Sequence, residues 1–276
     1  MSEHIRTQLD GGVLTVVFDR ADKKNAITQA MYTALADATE KAKADDAVRV
    51  ILFRSEGDSF SAGNDIADFI ALGQTQGDLV EMGVFRFLKA LADLDKPAVA
   101  AVRGRAVGIG LTLLLHCDMV VVAEDALLSV PFVNLALAPE AASSLLLGAN
   151  IGHQRAFELF ALGEAIDGRT ALAWGLANRA VPAEQVEATA ADLAAKLAAR
   201  APNSIRKTKA LMRNAELLWT VMQREAEQVA SAVEQLAASV QEVARHAQLS
   251  ASAAAEANQA TDSGLRLPWC TRLRSL

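Results

Sequence analysis

The chain has 276 residues, 52% of them hydrophobic and 22% charged, with an aromatic share of 5%. That excludes a disordered, collagenous or disulfide-stapled protein, because such chains lack either the apolar fraction or the length to bury a core. A formal net charge of −6 argues against a nucleic-acid-coating protein, which needs a basic surplus.

The two cysteines, Cys117 and Cys270, are far apart and lack CxxC or CxxH spacing. Neither a disulfide framework nor a metal site is expected from them, and a reducing, cytoplasmic setting fits. The opening MSEHIRTQLDGG has no basic, apolar, small-residue succession of a signal peptide. The longest apolar run, around Val107 to Leu115, is about half of what a bilayer needs, so no membrane partner is expected.

In chain order, Asp10-Gly11-Gly12 is a turn signal and the β-branched run Val13 to Phe18 predicts a strand. Thr28 caps a helix expected to run to Lys43, with Met31, Leu35 and Ala38 at helical spacing. Val48 to Phe53 predicts the next strand and Leu79 to Leu94 an amphipathic helix. After Pro97 come the run AVAAV, the glycine-rich RGRAVGIG, an apolar helix over Ile109 to His116, and two strands in MVVVAE and LLSVP. Beyond Glu140 the pattern is helical apart from a strand-like segment in LANRAVP. Strands spaced by helices imply crossover connections and a layered α/β core, with ligand sites gathered at the loops that follow strands.

Three segments put backbone and small residues where side chains are expected: Phe60 to Asp65, Val107 to Gly110, and Pro131-Phe132 followed by Ala138 to Ser144. The first two turn from strand into helix, where glycine lets a ligand approach backbone N–H groups closely. Two N–H groups aimed at one point make an oxyanion hole; the alternative is a pair of ordinary tight turns. Glu140 follows Pro139 at a helix start, so it is either a base or a carboxylate favoured by the helix dipole. His116 reads as a packed or capping histidine rather than a base, Cys117 as a small core residue, and Asp65 as a helix cap rather than a reactive group. No metal constellation and no GxxxxGK[ST] loop is present.

FSAGNDIADF, then KPAVAAVRGRAVGIGLTLLLHCDMVVVAEDALLSVPF, then LALAPEAASSLLL and GLANRAVP resemble, in order and spacing, the successive signatures of the crotonase (enoyl-CoA hydratase/isomerase) superfamily, from about Val13 to about Arg213. The resemblance implies a ββα spiral core with a C-terminal helical region. It implies an acyl-CoA thioester as substrate, no cofactor beyond the coenzyme A of that substrate, and a homo-oligomer, a trimer or a hexamer. It maps the oxyanion N–H groups onto Ala62 and Ile109, and the CoA pocket onto Arg20 to Ala26 and Ala62 to Ile66. Lys23 and Lys24 then lie near the nucleotide phosphates, unless they are solvated loop charges. Ala26, Ala62, Gly63, Asn64, Asp65, Ile66, Gly108 and Phe132 complete the expected binding residues.

The hydratases of that family place one glutamate two residues after the second Gly of the GxG turn and another directly after the Pro of the later strand. Thr112 and Phe132 stand at those positions here. Hydration needs a carboxylate pair to handle water and protons, so the resemblance narrows to the Δ3,Δ2-enoyl-CoA isomerase branch, whose catalytic glutamate falls on Glu140. Its neighbours Phe132, Leu135, Leu137, Ala138 and Ala141 are apolar, which raises a carboxyl pKa. A hydratase with relocated groups and a thioester hydrolase remain the chemical alternatives.

From Met222 the residues Ala226, Val229, Val233, Leu236, Val240, Val243, Ala247, Ser250 and Ala254 follow heptad spacing, which predicts a long helix packed on another helix. This stretch also bears some similarity to the signalling helices of bacterial chemotaxis transducers, so a non-enzymatic coiled-coil interaction protein is the reading from a different class. The expected organisation is a catalytic core over residues 1–201 and a helical region over 202–276 with an irregular end.

Overall fold

The computed structural model describes residues 2–68, 83–214, 216–228 and 231. Residues 1–233 form one compact unit; most of the heptad segment, the irregular end and Cys270 lie outside the described residues. So do residues 79–82, the start of the second expected helix.

The chain opens with β1 (Ile5–Asp10) paired antiparallel to β2 (Val13–Phe18), Asp10 opposite Val13. The two-residue loop between them is Gly11-Gly12, both at positive φ. That is the geometry by which a tight hairpin matches strand twist. β2 matches the expected strand residue for residue; β1, where Ile5, Thr7 and Leu9 alternate with Arg6, Gln8 and Asp10 and five of the six residues are exposed, is a further strand.

Thr28 caps α1 (Gln29–Ala44) by accepting the Met31 N–H at 3.3 Å, and Met31, Leu35 and Ala38 face inward as their spacing requires. β3 (Val50–Ser55) begins two residues after the expected start at Val48. α2 (Gly83–Ala92) lies on α1, with Tyr32 and Phe87 ring centroids 6.1 Å apart.

β4 (Ala98–Val102) and β6 (Met119–Ala123) are the AVAAV and MVVVA runs. They continue a six-stranded sheet in the order β1-β2-β3-β4-β6-β9, β9 being Arg179–Val181, parallel throughout except for the first hairpin. Parallel strands covered on both faces need continuous apolar runs, and every residue of β4 is buried.

A second sheet crosses the loops that carry the expected site. It joins β5 (Arg105–Val107), β7 (Leu127–Ser129) and β8 (Ile166–Asp167), with β5 and β7 parallel. β5 and β8, of three and two residues, leave no periodicity to detect.

The apolar helix expected over Ile109 to His116 is a four-residue α3 (Ile109–Thr112) continued by a 3-10 turn, Leu113–His116. Beyond Glu140 come α4 (Ser143–Ile151), α5 (His153–Leu162), α6 (Gly168–Trp174), α7 (Val186–Ala198) and α8 (Pro202–Met212), then helical residues 216–228. In this last helix Leu218, Met222 and Glu225 are the buried positions.

Candidate active site

Two loops meet across the second sheet. Ser61 forms a parallel bridge with Ala106: its N–H donates to the Arg105 carbonyl at 3.0 Å, and its carbonyl accepts from Val107 N–H at 3.0 Å. Glycines make this approach possible. A Cβ on Gly110 would stand 2.9 Å from the Ser61 carbonyl oxygen, and one on Gly63, which has φ +94°, would stand 3.0 Å from that of Val107. Real side chains essentially never tolerate the first distance, so both loops are fixed at backbone contact.

Within these loops one expectation is corrected. The Ala62 N–H donates to the Lys24 carbonyl at 2.9 Å and is not available to a ligand. Gly63 N–H is also taken, by Ser61 Oγ at 3.1 Å. The first N–H without a partner among the described residues is that of Asn64: its bridge to Ile27 uses Gly63 O and Asp65 N–H, as a parallel register requires. On the facing loop Gly108, at φ +54°, donates to the Ser129 carbonyl at 2.9 Å. The next N–H groups, of Ile109 and Gly110, have no partner among the described residues. Helix starts leave their first donors unsatisfied, so Ile109 offers what the sequence suggested.

The residues expected to bind CoA divide. Asn25, fully buried and at φ +55°, accepts from Arg20 N–H and donates to the Glu56 and Ser59 carbonyls, each at 2.8 Å, while its own carbonyl accepts from Ser61 Oγ. It is the joint between the Arg20–Ala26 segment and the first loop; sequence reading passed over it within RADKKNA.

Arg20 Nη1 reaches both the Ala26 carbonyl at 2.9 Å and Asp65 Oδ2 at 2.8 Å. Asp65 also accepts the Asp68 N–H at 3.2 Å, and its bond to Arg20 holds its carboxyl below the usual range. It therefore caps the short turn of helix that follows, as expected, and in addition pairs with Arg20. Lys24 Nζ is paired with Asp58 Oδ2 at 2.6 Å on the surface, Lys23 is exposed, and Ile66 is 62% exposed. Phe132 is buried and stacks on Phe160, ring centroids 6.3 Å apart.

Glu140 is held differently. Its Oε1 is buried with no hydrogen-bond partner among the described residues, and burial, with the nearby Glu225 charge, raises its pKa to about 7. Tyr32, buried in α1, donates to Asn64 Oδ1, and its own pKa is raised by burial and then by the Glu140 charge. Tyr32 thus joins the first loop to the neighbourhood of the carboxylate. Thr112 Oγ1 and Ser143 Oγ are further buried oxygens without partners among the described residues.

Directly after Glu140, Ala141 and Ala142 both adopt left-handed backbone, φ +58° and +57°, a conformation that costs about 1–2 kcal/mol at each non-glycine residue. His116 Nε2 bonds the Ala141 carbonyl at 2.7 Å, and Arg213 Nη2 lies 2.7 Å from His116 Nδ1. A guanidinium only donates, so Nδ1 is the acceptor and Nε2 carries the proton. Burial, reinforced by Arg213, pushes the His116 pKa down to about 3, which keeps this neutral tautomer.

Glu225, from the last described helix, accepts the Ala142 N–H at 2.6 Å and the Ser144 N–H at 3.2 Å, and also the Ser144 hydroxyl. Burial, the largest influence, raises its pKa. Sequence reading missed this residue. Its signal was a carboxylate on the apolar stripe Leu218, Met222, Glu225, at spacings four and three.

A mixed core of a six-stranded and a three-stranded sheet, with two strand-to-helix loops meeting across the second, defines a crotonase-type fold. The chain belongs to the enoyl-CoA hydratase/isomerase family, whose model matches residues 8–260. It is 34% identical over 218 residues, 78% of this chain, to enoyl-CoA delta isomerase 2 of Rattus norvegicus, and spans 56% of that relative's length. It is 32% identical over 85% of its length to the peroxisomal enoyl-CoA delta isomerase 3 of Mus musculus, covering 74% of that protein. Among solved structures, OdaA of Pseudomonas aeruginosa matches with a TM-score of 0.80 and 43% identity, over 87% of this chain and 99% of the other.

Among the described residues no group of three or more His, Cys, Asp or Glu side chains is placed to hold a metal ion. No described helix is long and apolar enough to cross a membrane.

Proposed function

We propose that this protein shifts the double bond of a 3-enoyl-CoA thioester to the 2-position, with Glu140 as its single base. The observation that carries the reading is the Glu140 carboxyl, half-buried, with Oε1 buried and unpartnered among the described residues and its pKa raised to about 7, together with Thr112 and Phe132 where the resemblance expects the hydratase pair. The other nearby carboxylate, Glu225, has both oxygens engaged by N–H and O–H donors, so it is not free to activate water.

In this reading the thioester carbonyl oxygen sits between the Asn64 and Ile109 N–H groups, with Asn64 replacing Ala62 as the first donor. Ionised Glu140 takes a proton from C2; the electron pair moves into a dienolate whose oxygen is held by the two N–H groups. Neutral Glu140 returns the proton at C4, and the double bond comes to rest between C2 and C3. A base that keeps its proton between two carbons needs a pKa near neutrality, because it must be a competent acceptor and then a competent donor.

Lys23, exposed and without an ion-pair partner among the described residues, is the better placed of the two lysines for the CoA phosphates. No separate cofactor enters this scheme, and the reading includes a homo-oligomer in the cytoplasm. Phe157, Leu162 and Met212 are large apolar residues left exposed on the single chain, which supports assembly.

The test is direct. Purified protein given a 3-enoyl-CoA is expected to produce the absorbance of the conjugated 2-enoyl thioester, at a rate that Glu140→Gln lowers by about 10²–10⁴-fold. Release of free CoA without a conjugated product would select thioester hydrolysis instead.

A further inference from the structure

The carbonyl of Ala141 and the N–H of Ala142 belong to one peptide unit, and that unit is gripped at both ends. His116 donates to its oxygen at 2.7 Å and Glu225 accepts its hydrogen at 2.6 Å. In a trans peptide these two groups point in opposite directions, so the grips come from opposite sides and the plane cannot rotate without breaking one of them. The residues on either side of the peptide are the two left-handed alanines. Alanine has no intrinsic preference for that conformation, so the turn needs an external hold.

Both grips are set from the C-terminal part of the chain. Glu225 lies on the last described helix, and Arg213, at the end of α8, supplies the donor that leaves the His116 proton on Nε2. Glu140 is the residue immediately before this peptide, and the Ser143 N–H closes the turn on its carbonyl at 2.9 Å.

We infer that Glu225, His116 and Arg213 are positioning residues that lock the Ala141–Ala142 peptide and thereby aim the Glu140 carboxylate, which makes the C-terminal helix part of the catalytic machinery. The inference rests on the reading of Glu140 as the base. It assigns no chemistry to the three residues: both Glu225 oxygens, both His116 ring nitrogens and both Arg213 Nη atoms are engaged by the turn and by each other. It accounts for a charged residue on an apolar helix stripe, and for a buried histidine that the proton transfer does not use.

The experiment compares Glu225→Ala, Glu225→Gln, His116→Phe and His116→Gln in the full chain. Each is measured for kcat and KM on a 3-enoyl-CoA, for Kd of a saturated acyl-CoA, and for amide exchange at Ala142 and Ser144. Glu225→Ala is expected to lower kcat at least thirtyfold, with KM and Kd within threefold, and to speed exchange of both amides at least tenfold. His116→Gln, which retains an N–H able to reach the Ala141 carbonyl, is expected to recover part of the kcat that His116→Phe loses.

Unchanged amide protection in Glu225→Ala, faster exchange with unchanged kcat, or a loss of kcat matched by the loss of binding would each overturn the inference. If Glu225→Ala does not fold, the near-isosteric Glu225→Gln carries the same comparison, with one acceptor retained and a smaller kcat loss expected. A wild-type protein that fails to isomerise but shows protected Ala142 and Ser144 amides, lost on substitution, would overturn the function and leave the peptide lock standing as geometry.

Discussion

The two halves of the site are built on opposite plans. The loops that carry Asn64 and Ile109 are joined by backbone hydrogen bonds and by the absence of side chains at Gly63 and Gly110. The turn that carries Glu140 is left-handed at two alanines, and is held by side chains more than twenty residues before it and more than seventy after it. A site that only has to place N–H donors can be rigid through local backbone geometry. One that must keep a carboxylate buried and poorly solvated needs polar partners brought to its supporting backbone from elsewhere.

The contrast breaks most completely at the carboxylate itself. Glu140→Gln is expected to lower kcat by about 10²–10⁴-fold, the usual share of a positioned general base, with saturated acyl-CoA binding retained by calorimetry. A variant that retained activity within tenfold would remove Glu140 from the chemistry.

Next comes the loop contact. Gly110→Ala forces a Cβ to within 2.9 Å of the Ser61 carbonyl oxygen. It is expected to destabilise the fold by about 1–3 kcal/mol, as overpacking does, and to weaken substrate affinity and kcat together, because the N–H groups separate. Chemical denaturation and steady-state kinetics read the two effects.

Acidity sharpens the comparison from the Glu140 side. Activity is expected to rise with pH and level off above about 7, because only the ionised base can take the C2 proton. The stability sign is the reverse. A carboxyl at about 4.5 in the unfolded chain and about 7 in the fold contributes nothing below 4.5 and opposes folding increasingly up to pH 7. Glu140→Gln is therefore expected to stabilise the protein by up to about 3 kcal/mol at pH 8 and to leave it unchanged at pH 4, measured by urea unfolding at the two pH values.

On the loop side the smallest effects lie at the surface charges. Asp65→Asn removes the charged partner of Arg20 while keeping an oxygen for the Asp68 N–H, and is expected to cost about 1 kcal/mol at pH 7. Because the Asp65 pKa is lowered in the fold, that contribution disappears as the pH falls through it. Lys24→Ala breaks an exposed pair with Asp58 and is expected to change stability by less than about 0.5 kcal/mol, with any effect confined to the KM for the CoA thioester.

The unequal legibility of the two halves follows from the same contrast. β2, β4, α1 with its Thr28 cap, and both glycine loops were readable because each is specified by residues next to one another. The resemblance maps an oxyanion donor onto Ala62, and the sequence does not reveal that the Lys24 carbonyl, across the loop, accepts that N–H. β5 and β8 escaped because strands of three residues and shorter leave no periodic trace.

An alanine-rich, 52% apolar chain determined by itself that a layered α/β core forms, that glycines line two strand-to-helix turns, and that one glutamate stands among apolar neighbours. Only the tertiary structure decided which N–H groups lack a partner among the described residues, and that the left-handed Ala141–Ala142 peptide is gripped by His116 and by Glu225, more than eighty residues further along the chain. Periodicity and turn chemistry are local and can be read residue by residue. Hydrogen-bond saturation and the desolvation of a carboxylate are sums over everything folded around a point, and they exist only once the chain has closed on itself.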